Sequence, residues 1–247
     1  MRRSLICYLM LFLLLAGLAG LAGCPPRVPP IPTPAQLDPA PPAPPPPPPP
    51  PGSSPARVHL LAARAAYRDS KFDAAITEYT KAIEADPNLA QAYAERGRAY
   101  ASLTSLGWAN ESDRAFADFA RALELNPKLG VVYLWRAEAW GAKASRDRLE
   151  TRYGKEDMAQ AYADLDQALA INPKDAGAYA ARGNCFTQEQ KYDEAVEAYT
   201  QAIALEPTNP KYYGDRCNAY TLKGEREKAD ADFRKAQSLG LKTSPGS

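Results

Sequence analysis

From Ala56 to Leu241 the apolar residues recur at helical spacing, three or four positions apart, with short polar breaks between the runs. The clearest stretch is Ala176–Asn209, AGAYAARGNCFTQEQKYDEAVEAYTQAIALEPTN, which spans 34 residues. It holds two apolar patterns of helical period, broken at Gln188-Glu189-Gln190-Lys191 and closed by Pro207. Slid along the chain, this unit returns in whole or in part five times between Ala56 and Leu241. A fixed period of about 20–50 residues is the mark of stacked supersecondary units, so the pattern predicts an array of helix pairs.

The columns of the array support that reading. An aromatic near the start of each first helix gives Tyr93, Tyr133, Tyr179 and Tyr213, with His59 in that place in the first unit. A small residue follows at Ala63, Gly97, Ala137, Gly183 and Cys217, then a second aromatic at Tyr100, Trp140, Phe186 and Tyr220. The second helices repeat Ala75, Ala115, Ala161, Ala195 and Ala229, then Tyr79, Phe119, Leu165, Tyr199 and Phe233, then Ala82, Ala122, Ala168, Ala202 and Ala236. Small residues let two helices approach closely, and large rings fill the space beside them. Pro87, Pro127, Pro173 and Pro207 cannot continue a helix and mark the turn into the next unit.

On these columns the chain resembles the tetratricopeptide repeat family over essentially all of residues 56–241. The resemblance implies an all-α solenoid of about five helix-turn-helix repeats in a right-handed superhelix: 56–89, 90–129, 130–175, 176–209 and 210–241, with a tail at 242–247. The second and third repeats carry extra residues at the turn between their helices, around 103–112 and within 143–157. An Arg column (Arg96, Arg136, Arg182, Arg216) matches a bacterial variant of the motif that reads Tyr-x-x-Arg-Gly, and an acid recurs at Glu78, Asp118, Asp164 and Asp232. A half-buried guanidinium needs an acceptor, so the two columns are expected to pair. The fourth repeat has Ala198 in the acid's place and is expected to use Glu197 instead. The last helix is expected to turn Ala229, Phe233 and Ala236 inward and to cap the array with an otherwise polar surface.

The N-terminal region is of another kind. Arg2 and Arg3 precede an apolar run from Leu5 to Gly23, the pattern of a secretory signal. The run ends Leu21-Ala22-Gly23-Cys24, which resembles the bacterial lipobox. The resemblance implies cleavage after residue 23, a diacylglyceryl group on the Cys24 thiol, further acylation such as palmitate, and attachment to the cell envelope. Pro25, in the place where Asp favours inner-membrane retention, points to the outer membrane facing the periplasm. A signal cleaved without lipidation and an uncleaved membrane helix are the alternatives. Of the 31 residues from Pro25 to Pro55, 18 are proline. Such a segment lacks donors for helix or sheet, and residues 24–55 are expected to form a disordered, extended linker reaching up to roughly 90 Å. A ligand for a proline-reading domain is the other possibility.

Composition narrows the function classes. With 30 Lys and Arg against 29 Asp and Glu in 247 residues, no basic excess points to nucleic acid. His59 is the single histidine, and no nucleophile-base set, phosphate loop or metal signature appears, so an enzyme, a cofactor and a metal are not expected. Cys185 and Cys217 occupy small-residue columns and read first as buried thiols, with a disulfide as the alternative.

Members of the family bind peptides or protein segments on the concave face lined by the first helices. The residues between the packing columns make that groove basic at its N-terminal end, apolar in the middle and amide-rich at its C-terminal end. Trp135 and Leu134 are the expected apolar anchors, Arg64 and Arg98 the partners of acidic groups, and Asn184 and Asn218 the contacts to peptide backbone. The chaperone-type carboxylate clamp is not expected, because Leu60 and Ala94 hold its lysine places. The expected function is a lipid-anchored envelope scaffold for a protein or peptide partner, akin to lipoproteins that assist machines such as pilus secretins. A self-associating spacer, or an adaptor for an envelope hydrolase or peptidoglycan, are the alternatives.

Overall fold

The computed structural model describes residues 54–105, 111–147 and 151–241. The expected signal sequence, Cys24 and the proline-rich segment lie outside the described residues. The described residues form ten α-helices and no strand, and none of the ten is long and apolar enough to cross a membrane. They pair as α1 (Pro55–Arg68) with α2 (Phe72–Ala85), α3 (Ala90–Ser105) with α4 (Ser112–Leu125), and α5 (Gly130–Arg146) with α6 (Arg152–Ile171). The last two pairs are α7 (Ala176–Gln188) with α8 (Tyr192–Leu205) and α9 (Pro210–Lys223) with α10 (Arg226–Ser238).

Local chemistry sets the ends of each helix. Before every inter-repeat proline the chain is held out of helical geometry, as at Asp86 (φ −146°, ψ 93°) and Asn126 (φ −148°, ψ 93°). There the side chains of Asp86, Asn126 and Asn172 accept the amide two residues on, at 3.0–3.1 Å. Asp175 and Asn209 cap α7 and α9 by accepting the amides of Ala178 and Lys211. The tight turn inside repeats one, four and five needs one left-handed residue: Ser70 (φ 59°), Gln190 (φ 61°) and Gly224 (φ 87°).

The core is a strip running from repeat to repeat, as the columns predict. Ala75, Ala115, Ala161 and Ala195 are fully buried, and so are Phe119 and Leu165, with Tyr79 and Tyr199 2% exposed. Burying one such large side chain contributes about 1.5–3 kcal/mol. The last repeat departs from expectation. Ala229 and Ala236 are buried, but Phe233 is 40% exposed. In the other repeats this position is covered by the following helix pair. The flanking columns, apolar at Ile76, Phe116, Tyr162 and Val196 and at Ile83, Leu123, Leu169 and Ile203, become Asp230 and Gln237 on α10, and both are exposed. Polarity on this face comes from its surroundings, while Phe233 is left partly uncovered.

The Arg and acid columns meet. Arg96 donates Nε and Nη2 to Asp118 at 2.8 Å, and Arg136 does the same to Asp164 at 2.8 and 2.7 Å. Arg216 repeats the fork on Asp232 at 2.7 and 2.8 Å. The third guanidinium nitrogen of Arg96 and of Arg216 reaches back to the preceding repeat, to Thr80 Oγ1 at 3.0 Å and Thr200 Oγ1 at 2.9 Å. In the first repeat, which has Ala62 in place of the Arg, Glu78 is met by His59 Nδ1 at 2.8 Å.

Arg182 corrects the expectation for the fourth repeat. Its partner is Asp166, not Glu197. Asp166 occupies the position that holds Thr80 and Thr200 in repeats one and four, so the acid missing at Ala198 is supplied from the repeat before.

The insertion of the third repeat lengthens both of its helices. Lys143 binds Asp147 at 3.0 Å and Asp157 at 2.7 Å, closing the projecting end of the α5–α6 pair around buried Ala144 and Met158. Ser145 and Arg146 tie it to Gln188 and Ser112 of the neighbouring repeats.

Candidate functional site: the face of the first helices

The first helices α1, α3, α5, α7 and α9 present one residue each at corresponding positions: Arg64, Arg98, Glu138, Asn184 and Asn218. The structure separates these into different roles. Arg64 is neutralised by Glu95, which takes its Nε at 2.8 Å and also accepts the Tyr79 hydroxyl at 3.1 Å. Asn184 accepts the hydroxyl of Tyr199 at 2.8 Å and thereby serves the packing of its own repeat. Leu134 is half-buried and lies against Gly177 of the next repeat, in the core between α5, α6 and α7. Asn218 is exposed. Leu60 and Ala94, which flank this row, are buried in the core.

Arg98 and Trp135 are brought together. The guanidinium lies 4.6 Å from the centre of the Trp135 indole and 5.3 Å from the centre of the Tyr67 ring. The Tyr67 hydroxyl is held by Ser102 at 3.0 Å, and its ring is braced edge-on by Phe72 with centroids 5.3 Å apart. A guanidinium on an aromatic face keeps its in-plane N–H donors free, and each such contact contributes about 0.5–1 kcal/mol at an exposed site. Among the described residues Arg98 has no carboxylate partner. The trio forms the common wall of two clefts. One, of about 570 Å³, continues past Phe116, Ala139, Ala142 and Arg146, and the other, of about 480 Å³, past Leu61, Arg68 and Tyr79. The lengthened α5 contributes Ala142 and Arg146 to the larger one.

The middle and C-terminal parts of this face are more acidic than the sequence pattern implied. The Glu138 carboxyl lines the larger cleft. Glu138 is exposed along its helix, but the cleft wall around the carboxyl takes water from it and pushes it above the usual carboxylate range, while Lys211 and Arg98 act the other way. Asp215 on α9 is likewise pushed up by burial, opposed by Lys211 with Nζ at 3.3 Å. Sequence reasoning named Asn218 on this helix and missed Asp215. The signal was available: Asp215 stands six places into its repeat, where Leu61, Glu95 and Trp135 already mark the groove. Among the described residues no group of three or more His, Cys, Asp or Glu side chains is arranged to hold a metal.

Two segments match family models, residues 176–209 as "Tetratricopeptide repeat" and residues 63–103 as "TPR repeat". Among curated proteins, a heat-shock protein cognate co-chaperone of Aspergillus fumigatus is 38% identical over 52 residues, 21% of this chain and 15% of its own length. The Hsp70–Hsp90 organizing protein 2 of Arabidopsis thaliana is 40% identical over 58 residues, covering 24% of this chain and 10% of that one. The chain thus spans a small part of these relatives. A thermophilic repeat protein of Thermus thermophilus superposes with a TM-score of 0.67 at 24% identity, over 76% of this chain and 92% of its own. PilW, a widely conserved type IV pilus biogenesis factor, gives 0.63 at 20% identity, over 76% and 79%. At these identities the structural likeness speaks to fold alone. Family models and neighbouring folds agree that the chain carries tetratricopeptide repeats, a protein-interaction module, and folds as a solenoid of them.

Proposed function

We propose that this protein is a cell-envelope scaffold, attached by lipid at Cys24, which holds a segment of a partner protein against the face of its first helices. The observation that supports this most is the Tyr67–Arg98–Trp135 stack. A cation braced on two rings, exposed, and set between two clefts has the composition of an interaction hot spot, where Trp, Tyr and Arg are enriched. In an array where Arg96, Arg136, Arg182 and Arg216 each sit on an aspartate, Arg98 is available to a ligand. No catalytic role is proposed for any residue.

The test compares wild-type protein with Trp135→Ala and Arg98→Ala in crosslinking within the native envelope. Loss of the same crosslinked partner in both variants, with unchanged helical circular dichroism, supports the reading. Retention of the partner places its contact on another surface. Separately, Cys24→Ala moves the protein from the membrane fraction to the soluble fraction, and continued membrane attachment would refute the lipid anchor.

A further inference from the structure

The charges along the groove are unevenly matched, and this identifies the kind of segment it takes. At the N-terminal end Arg57, Arg68 and Arg98 have no carboxylate partner among the described residues, whereas Arg64 is cancelled by Glu95. Towards the C-terminal end the imbalance reverses. Glu138 forms no ion pair among the described residues, being opposed only from a distance by Lys211 and Arg98, and Lys211 also acts on Asp215. Asp175 adds a further negative charge near Glu138 while capping α7. Asp215 is paired with Lys211, whose Nζ stands 3.3 Å from Oδ2, and its side chain is still 25% exposed, so the carboxylate can take a second cation from outside.

We propose that the groove recognises a dipolar segment: an acidic residue over the stacked guanidinium of Arg98 and a basic residue on Glu138 and Asp215. This rests on the groove reading above. Arg98, Glu138 and Asp215 belong to repeats two, three and five. Neighbouring helix axes lie about 9 Å apart and an extended chain advances about 3.3 Å per residue, so one repeat corresponds to about three residues of ligand. The acid and the base of the partner are therefore separated by about three to nine residues, with apolar side chains entering the clefts between them. The charges also fix direction, since a reversed segment sets acid on acid and base on Arg98. A uniformly acidic segment is disfavoured for the same reason, by like charge at Glu138 and Asp215.

Selection of random dodecapeptides displayed on phage against the full chain provides the test. Enriched peptides are then measured by fluorescence anisotropy on wild type, Arg98→Ala, Trp135→Ala and the double variant Glu138→Gln/Asp215→Asn. The expected result is peptides with one acid and one base in constant order. Replacing the peptide's base by Ala is expected to weaken binding about tenfold on wild type and less than about twofold on the double variant. Peptides that require Arg98 and Trp135 but bind equally well without a base overturn the dipolar inference and leave the groove reading standing. Peptides indifferent to Arg98 and Trp135, or no enrichment at all, overturn both.

Discussion

Gly183 on α7 and Tyr199 on α8 touch so closely that a Cβ on the glycine would stand 2.6–2.8 Å from the ring. Both belong to one repeat, and the contact sets how near its two helices lie. Real Cβ atoms do not come that close to a ring, and Tyr199 is 2% exposed and held through its hydroxyl by Asn184 and Thr187. Gly183→Ala is therefore expected to destabilise the fold by about 1–3 kcal/mol in urea unfolding. Adding Tyr199→Leu, which copies the Ala137 and Leu165 pair of the third repeat, is expected to return part of that loss. An unchanged midpoint for the single variant would show that the helices separate at no cost.

The displaced partner of Arg182 can be moved back. Asp166→Thr restores the residue found at this position in repeats one and four and leaves the half-buried Arg182 without its acid, at a cost of about 1 kcal/mol. Ala198→Asp in the same chain is expected to recover most of it, by rebuilding the fork seen at Asp118, Asp164 and Asp232. Chemical denaturation of the single and double variants measures the coupling. Independent, additive effects would mean that Arg182 does not depend on either acid.

The two thiols of the array differ in reactivity. Both are free; burial pushes the Cys185 thiol up to about 12 and raises that of the more exposed Cys217 by less. Because the thiolate is the nucleophile, Cys185 is almost wholly protonated at pH 8. In a chain lacking Cys7 and Cys24, a disulfide reagent at pH 8 is expected to modify Cys217 and spare Cys185 until urea is added. Equal rates for the two in the folded protein would contradict the burial of Cys185.

Glu138 gives a pH dependence of defined sign. Its carboxyl is raised in the folded protein because the cleft wall takes water from it, with Lys211 and Arg98 opposing the shift and Asp175 adding to it. The folded state then binds the proton more tightly than the unfolded chain, so this group favours folding below its unfolded value and loses that contribution as pH rises through the folded value. Wild type is expected to lose stability across that interval more steeply than Glu138→Gln. Thermal melts of the two proteins from pH 4 to pH 7 test this, and parallel curves would remove Glu138 as the cause.

Much of this architecture was readable from residue columns. Alanine, ring and proline positions at fixed offsets are local and periodic, and each has one structural reason that repeats with it. What escaped the sequence is pairing across the repeat boundary. Glu197 is closer in sequence to the vacant Ala198 than Asp166 is, yet the geometry of Thr80 and Thr200 had already marked the place from which Arg182 would be met. In the groove, Arg98 and Trp135 were legible because unusual residue types stand out against the columns. The separate fates of Arg64, Leu134 and Asn184 were not, because each depends on a neighbour from another helix: Glu95, Gly177 and Tyr199.

The position shared by Thr80, Ala120, Asp166 and Thr200 governs which repeat can follow which. Repeat arrays are often treated as strings of interchangeable beads, but here the beads carry matching keys. The fourth repeat takes an acid for its arginine from its predecessor at this place, so joined directly to the first or the second it would meet Thr80 or Ala120 and lose that ion pair. The third tolerates Ala120 because its own Asp164 satisfies Arg136 within the repeat. Repeats three and four are thus a matched pair, and duplicating, deleting or transplanting either alone loses the contact that one helical position supplies across their boundary.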